Sequence, residues 1–283
     1  MTFLMGAVAY DPKVVTIWSG FRTWLAEAGL PFDFVLYSNY ERQVEDLLDG
    51  RIHAAWNSPL AWVRARRLAA ARGREVRPLV MRDTDQDLTS VIVTLAGSPL
   101  EEASDLKGTV VATGAVDSPQ ATLIPLSQLR RLGLQPGAEL TVRRFDVGVG
   151  LHGDHIGGER DAARALLAGE VAAACMADAS HLLFTTEGTL PAGSTRVLAQ
   201  TVPYDHCNMT VVDTAPGDLA DSFRALLTSM SYADPRVRPL LDLEGLTAWV
   251  DGRDTGYFAL EAAVEETGFY DPAGAIIADE YTP

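Results

Sequence analysis

Residues 40–56 read Tyr40-Glu41-Arg42-Gln43-Val44-Glu45-Asp46-Leu47-Leu48-Asp49-Gly50-Arg51-Ile52-His53-Ala54-Ala55-Trp56. Tyr40–Leu48 is predicted as a helix, closed by Gly50, the residue type that best tolerates the left-handed cap. Ile52–Trp56 then runs as a strand. Asn57-Ser58-Pro59 opens the next helix, with Ser58 as N-cap and Pro59 in the first turn, where its missing N–H costs nothing. Upstream the order is the same. Phe3–Ala9 is a buried strand, and Asp11-Pro12 starts a helix with Asp11 as its cap. Val14, Val15, Trp18, Phe21, Trp24 and Leu25 of that helix recur at helical spacing. Gly29 ends it, and Phe32–Tyr37 is a second strand. Strand–helix alternation of this kind calls for a mainly parallel sheet covered by helices on both faces.

A second unit follows. Leu88–Leu95 is a strand expected to cross between lobes. Thr109–Thr113, Leu140–Phe145 and Val171–Met176 are further strands, and Ser118–Leu132, Glu159–Leu167 and Ala179–Thr185 are helices. Gly148–Gly158 is a loop rich in glycine and histidine. Thr195–Pro203 and Asn208–Val212 read as strand segments on either side of Tyr204-Asp205-His206-Cys207. Leu219–Met230, Pro235–Leu241 and Tyr257–Glu266 are helical. With no repeat and no long linker, short crossing strands are expected to join two lobes, 1–90 with 200–283 and 91–199.

Composition narrows the function. At 283 residues with 47% apolar and 22% charged side chains, the chain has the make-up of a globular protein with room for two cores. A net charge of −15 argues against nucleic acid, whose phosphates need clustered Lys and Arg. The one dense basic run, Arg64, Arg66, Arg67, Arg72 and Arg74, is read as the solvated face and C-terminal end of a helix. The two cysteines, Cys175 and Cys207, are too few for a disulfide scaffold. No apolar run approaches the roughly 20 residues of a membrane span. Met1–Ala9 lacks the features of an export signal, so the chain as written reads as cytoplasmic, or as periplasmic or extracellular if a signal has been removed.

Tyr40–Gly50 followed by Ile52–Trp56 resembles a segment of type-2 periplasmic binding proteins. Gly157–Ala174 resembles its counterpart in the second lobe. The nearest branch is the phosphate/phosphite/phosphonate substrate-binding family of ABC importers (PhnD-like), and the resemblance covers most of the first ~220 residues in order. It implies two α/β lobes, each a mixed, mainly parallel sheet flanked by helices, with ligand in the cleft between them and an ABC membrane component as partner. The general rule for open α/β sheets agrees, since ligands sit beyond the carboxyl ends of strands. One departure stands out. Where phosphonate binders place a run of hydroxyls at a helix N-terminus, this chain has Ala115-Val116-Asp117-Ser118-Pro119-Gln120. Only Ser118 offers a hydroxyl, Asp117 repels a dianion unless protonated or paired, and Pro119 removes an N–H.

The candidate ligand contacts are Tyr10, Asn57 and Ser58 at first-lobe turns, and Asp117, Ser118 and Gln120 at the matching turn of the second. His155 and Glu159 come from the glycine-rich loop and the helix after it; the resemblance singles out a loop histidine. Tyr204 and His206 lie in the second crossing. Asn57 and Ser58 also have a plain reading as capping residues, and Cys207 as a buried core thiol. His206 and Cys207 sit side by side, and if both were in a strand they would face opposite ways. Trp56 is a candidate cleft wall.

Two functions stay open. A solute-binding protein would close on a small polar or anionic molecule, phosphonate-like or a carboxylate. A cytosolic enzyme on the same scaffold, akin to the decarboxylase and thiamin-pyrimidine-synthase relatives of this fold, would use His206 and Cys207, or a divalent metal held by His155, His206 and Asp117. The first is preferred, and no other cofactor is indicated. No phosphate loop, dinucleotide fingerprint, serine elbow or zinc-protease motif is present.

Overall fold

In a computed structural model describing residues 1–283, the chain builds two sheets. The first is ordered β11-β4-β10-β3-β1-β2, from Phe3–Val8 (β1), Phe32–Tyr37 (β2), Ala54–Asn57 (β3), Val76–Arg82 (β4), Asn208–Val212 (β10) and Trp249–Asp251 (β11). The second is ordered β7-β6-β8-β5-β9, from Ser90–Leu95 (β5), Val110–Thr113 (β6), Thr141–Arg144 (β7), Ala173–Ala177 (β8) and Thr195–Gln200 (β9). Both sheets are mixed. The parallel pairs are β1 with β2 and β3, and β6 with β7 and β8. The antiparallel pairs involve the strands next to the two lobe crossings, together with β11.

Helices α1 (Lys13–Glu27), α2 (Tyr40–Leu48) and α3 (Pro59–Ala71) follow β1, β2 and β3. Helix α1 buries Val14, Trp18, Phe21 and Leu25 of the expected stripe together with Ile17, while Val15 is exposed and Trp24 only half-buried. Asp11 is not its N-cap residue. It lies one residue further out, and its carboxylate accepts the Lys13 N–H at 2.8 Å. In the second lobe α4 (Ile124–Arg131), α5 (Gly157–Leu167) and α6 (Asp178–Thr186) flank the sheet, and a π-helical turn, Pro119–Leu123, leads into α4. Helices α7 (Gly217–Ser229), α8 (Arg238–Glu244) and α9 (Phe258–Thr267) complete the chain. The first-lobe core is aromatic: Phe32 stacks on Phe223 at 5.4 Å, and Trp56 meets Trp249 edge-on at 5.6 Å.

Strand β4 is not foreseen from the sequence, because Val-Arg-Pro-Leu-Val-Met-Arg carries a proline and lies inside the sheet. The register with β10 shifts between Met209 and Thr210, and Pro78 sits beside that bulge, opposite Thr210. A bulge is where a strand can tolerate a residue without an N–H.

Two crossings join the lobes, β4 to β5 and β9 to β10. Where they pass, Leu88 and Tyr204 exchange backbone hydrogen bonds of 2.8 Å in each direction. The C-terminal segment from α9 onward belongs to neither sheet and packs on both lobes. Its Ala259, Leu260, Ala263, Val264, Phe269, Tyr270 and Tyr281 share one buried cluster with Leu60 and Val63 of α3 and with Leu123 and Ile124 of the second lobe. Of the basic run, Arg64, Arg66 and Arg67 serve this seam, whereas Arg72 and Arg74, at and beyond the end of α3, pair with Asp49 and Asp213 at the surface. Arg64 is buried and donates to the Gly274 carbonyl, Arg66 pairs with Glu261, and Arg67 donates to the Tyr270 carbonyl. Further along the segment, Glu266 pairs with Arg130 and Glu280 with Arg144.

Candidate functional site

A cavity of about 200 Å³ lies between the lobes, lined by Tyr10, Arg82, Leu88, Gln120, Gly153, Asp154, Ile156, Glu159, Ala177, Ser180 and His206. Tyr10 follows β1, Arg82 ends β4 and His206 precedes the antiparallel β10, so the first lobe presents one end of its sheet. Gln120 follows β6, Asp154 follows β7, and Ala177 ends β8, so the second lobe does the same. Ligand sites in open α/β sheets occupy this position.

On the first-lobe wall, Arg82 is already engaged. Its Nε and Nη2 donate to the two oxygens of buried Asp85 at 2.5 and 2.8 Å. Its Nη1 donates to the Glu244 carbonyl at 3.0 Å and lies 3.5 Å from the Glu244 carboxyl. The guanidinium also covers the ring of Trp56, 5.4 Å from its centroid. Trp56 therefore lies beneath Arg82 in the core and does not line the cavity. Burial raises Glu244 to about 7, with Arg82 opposing. Burial also pushes Asp85 up, but Arg82 prevails and holds it near 2.

The second-lobe wall is rich in acceptors. The Gln120 amide donates to the Gly153 carbonyl at 2.7 Å, leaving its own buried Oε1 without a donor. Glu159 accepts the Ala177 N–H at 3.0 Å, and Asp154 accepts the Tyr40 hydroxyl. Burial raises both carboxyls above their usual range, despite these hydrogen bonds.

Tyr10, Gln120, Glu159 and His206 are thus brought together, and the other candidates lie elsewhere. Asn57 is buried in a polar chain, accepting from Gln43 at 2.9 Å and donating to Thr210 at 2.8 Å. Ser58 caps α3, accepting from the Ala61 N–H at 3.1 Å. Ser118 caps the π-helical turn through the Ala121 N–H at 3.2 Å. Asp117 accepts the Gly150 and His152 N–H groups at 2.7 and 3.1 Å. The Tyr204 hydroxyl meets Ser90 at 2.7 Å in the core of the crossing. His155 is exposed and accepts the N–H of Gly157. Its neighbour His152 is the buried one. Its Nδ1 meets the Ser58 hydroxyl at 2.7 Å, and its ring stacks on Tyr40 at 4.8 Å.

His155, His206 and Asp117 are not gathered into a metal-binding set, because Asp117 lies outside the cavity, where its Oδ2 holds two backbone N–H groups, and His155 faces outward. The one cluster of His, Cys, Asp and Glu with donor atoms within 4.8 Å is Asp85, His206 and Cys207. Arg82 already neutralises its carboxylate, so a cation there would face another cation. His206 and Cys207 precede β10 and escape strand alternation. Nδ1 and Sγ therefore meet at 3.1 Å instead of facing opposite ways. Burial drives the Cys207 thiol well up, the reverse of what a nucleophile needs.

Arg82, Asp154 and Ser180 join the wall without having been singled out as contacts. Asp154 was visible between two histidines. Arg82 was hidden with its strand, and Ser180 inside a helix gave no signal.

The sequence profile described as "ABC transporter, phosphonate, periplasmic substrate-binding protein" matches residues 5–257. The chain belongs to this family. The fold is similar to PhnD1 from Prochlorococcus marinus (MIT 9301), solved in complex with methylphosphonate, at 13% identity, covering 94% of this chain and 98% of that one with a TM-score of 0.69. It is likewise similar to XAC2383 from Xanthomonas citri, solved bound to chloride, at 17% identity, 94% and 98% coverage and a TM-score of 0.71. The periplasmic aliphatic sulphonate binding protein SsuA from Escherichia coli aligns at 16% identity, 93% and 82% coverage and a TM-score of 0.56. At these identities the likeness is one of fold. No protein of curated function matches the chain in sequence.

Proposed function

We propose that this chain is the solute-capturing subunit of an ABC importer, working outside the cytoplasmic membrane and closing its lobes on one small polar molecule. The observation that carries this reading is the cavity itself, walled by Tyr10, Arg82 and His206 from one lobe and Gln120, Asp154 and Glu159 from the other. A ligand touching both walls favours the closed arrangement by its differential contacts, and the partner reads that arrangement. About 200 Å³ falls below the roughly 300–1,000 Å³ of drug-sized pockets and suits a small solute. In this reading the pair of crossings at Leu88 and Tyr204 is the hinge, and their bridge supports a division of the lobes near residues 90 and 200. No helix is long and apolar enough to cross a membrane. The enzyme reading loses ground because the Cys207 thiol is buried and held protonated.

The test is native mass spectrometry of the purified protein together with small-angle scattering. One solute per chain, released unchanged on denaturation, with a smaller radius in its presence, is the expected result. Chemical conversion of the retained molecule would overturn the proposal.

A further inference from the structure

The groups around the cavity are unbalanced in charge. Asp154 and Glu159 line it, while Asp85 and Glu244 stand directly behind Arg82. Against four carboxyl groups stand one guanidinium and the imidazole of His206, which itself lies 3.4 Å from Asp85. Arg82 already commits three of its five N–H groups to Asp85 and the Glu244 carbonyl, and Asp85 offsets its charge before any ligand arrives.

Of the helix N-termini where an oxyanion would be cradled, those of α3 and the π-helical turn are capped by side chains, and those of α5 and α6, which border the cavity without a side-chain cap, carry the carboxyls of Glu159 and Asp178 in their first turns. A helix N-terminus binds anions through first-turn N–H groups. At α3 the Ala61 N–H is capped by Ser58, with His152 lying against that hydroxyl. At the π-helical turn the Ala121 N–H is capped by Ser118, and Pro119 has no N–H to give. The wall instead holds an acceptor in want of a donor, the Oε1 of Gln120, a residue only 5% exposed. A buried acceptor without a partner costs about 1–3 kcal/mol, which a donor on the ligand would relieve.

From this geometry we infer that the cleft selects a small organic cation carrying N–H donors, a primary amine, with its ammonium among Gln120, Asp154 and Glu159. The inference rests on the solute-binding reading of the same cavity and departs from the phosphonate expectation. A quaternary ammonium is excluded by the walls, because such ions need several aromatic faces and Tyr10 is the only aromatic ring here apart from the His206 imidazole. The volume holds about seven groups of water size at ~30 Å³ each, enough for a short diamine. The raised carboxyls fit a site that awaits its cation, since an ammonium beside them would draw them back toward the charged form.

The test is isothermal titration of the full chain, freed of carried-over solute, with propylamine, putrescine and methylphosphonate. One amine binding at one site per chain, at least tenfold weaker in Asp154→Asn and in Glu159→Gln, with no heat from methylphosphonate, is expected. The two variants disturb different lobe contacts, so a folding defect in one leaves the other informative. Methylphosphonate binding with the amines silent, or amine affinity unchanged in both variants, overturns the inference and leaves solute capture intact. Silence from all three probes overturns it as well. The solute-binding reading is then judged separately, by whether unstripped protein retains a small molecule in native mass spectrometry.

Discussion

Glu41 and His152, 111 positions apart in the chain, meet as a buried pair with Oε1 and Nε2 separated by 2.9 Å. Glu41 stands in the first turn of α2. His152 comes from the loop after β7 in the other lobe and adopts a left-handed φ of 50° to reach it. That conformation is costly for a residue with a side chain and persists only where its surroundings hold it. The surroundings are Tyr40 against the ring, Ser58 on Nδ1, the Tyr281 hydroxyl 3.3 Å from Nε2, and Asp117 on the backbone N–H.

Replacing His152 with Ala leaves buried Glu41 with the Tyr270 hydroxyl at 2.9 Å but without its charged partner, which for such pairs costs about 3–5 kcal/mol. Urea unfolding of His152→Ala is expected to show a loss of that size. The double variant with Glu41→Gln should lose clearly less than the two single losses added together. Equal additive losses would show that the pair is not coupled.

The pair also sets a pH window. Burial pushes Glu41 up, but His152 prevails and brings it from 4.5 to about 2, so its contribution is lost as pH falls from 4.5 toward 2. Burial pushes His152 down, but Glu41 prevails and raises it above 6.5. Its contribution is therefore complete below 6.5 and lost as pH rises through the raised value. The stability difference between wild type and His152→Ala should be largest between about pH 4.5 and 6.5 and shrink on both sides. A difference that grows at alkaline pH would contradict the assignment.

Arg253 grips the buried carboxylate of Asp205 with two nitrogens, at 2.6 and 2.7 Å, beside the second crossing. Arg253 is about a third exposed (34%), so water softens the loss. Arg253→Ala should cost about 2–3 kcal/mol, at or below the low end for buried pairs. Gly256→Ala tests the same place by crowding, since a Cβ there would clash with the Asp205 carboxyl group. A loss of about 1–3 kcal/mol in thermal or urea unfolding is expected.

The C-terminal seam separates packing from surface charge. Tyr281 is 4% exposed and packs on Phe269, whereas Glu280 pairs with Arg144 in solvent. Tyr281→Ala should cost about 3–5 kcal/mol, and Glu280→Ala under about 1 kcal/mol. Comparable losses in the two variants would mean that the surface pair, not the apolar seam, ties the segment down.

Both thiols are free and buried. Cys175 is pushed up to about 12 by burial, and Cys207 is raised as well. An aromatic disulfide reagent should titrate neither in the native protein and both in denaturant. Rapid reaction of Cys207 in native protein would show a cleft more open than the one described.

Much of the fold was legible because it follows from local chemistry. Helix α2 and strand β2 fall on the expected residues, and α3 begins at the expected Ser-Pro cap. Strand β4 was illegible because Pro78 argues against an interior strand unless the bulge in its partner is known, and no local pattern announces a bulge. The three residues of β11 are too few for any periodicity. The cavity was half legible. Tyr10, Gln120, Glu159 and His206 sit at strand–helix turns or in crossings, where the fold's own rule points. Asn57, Ser58, Asp117 and Ser118 have the same credentials. What sets them apart is tertiary pairing: none lines the cavity, and each holds a partner elsewhere, some far away in sequence. His152 and His155 are alike in sequence, and only the surroundings of the loop decide which one turns inward.

The seam formed from α9 onward bears on how the lobes can move. Two crossing strands alone behave like a door on two pins, with one rotation left almost free. In the second sheet β5 and β9 lie at the crossing edge, whereas β7, whose Arg144 holds Glu280, lies at the opposite edge. The surface pair is weak by itself, and it is the apolar packing of the same segment on Leu123 and Ile124 that resists the free swing. In the proposed opening the segment has to part from one lobe, which would give a zipper of apolar side chains a share in ligand escape beside the grip of the cleft.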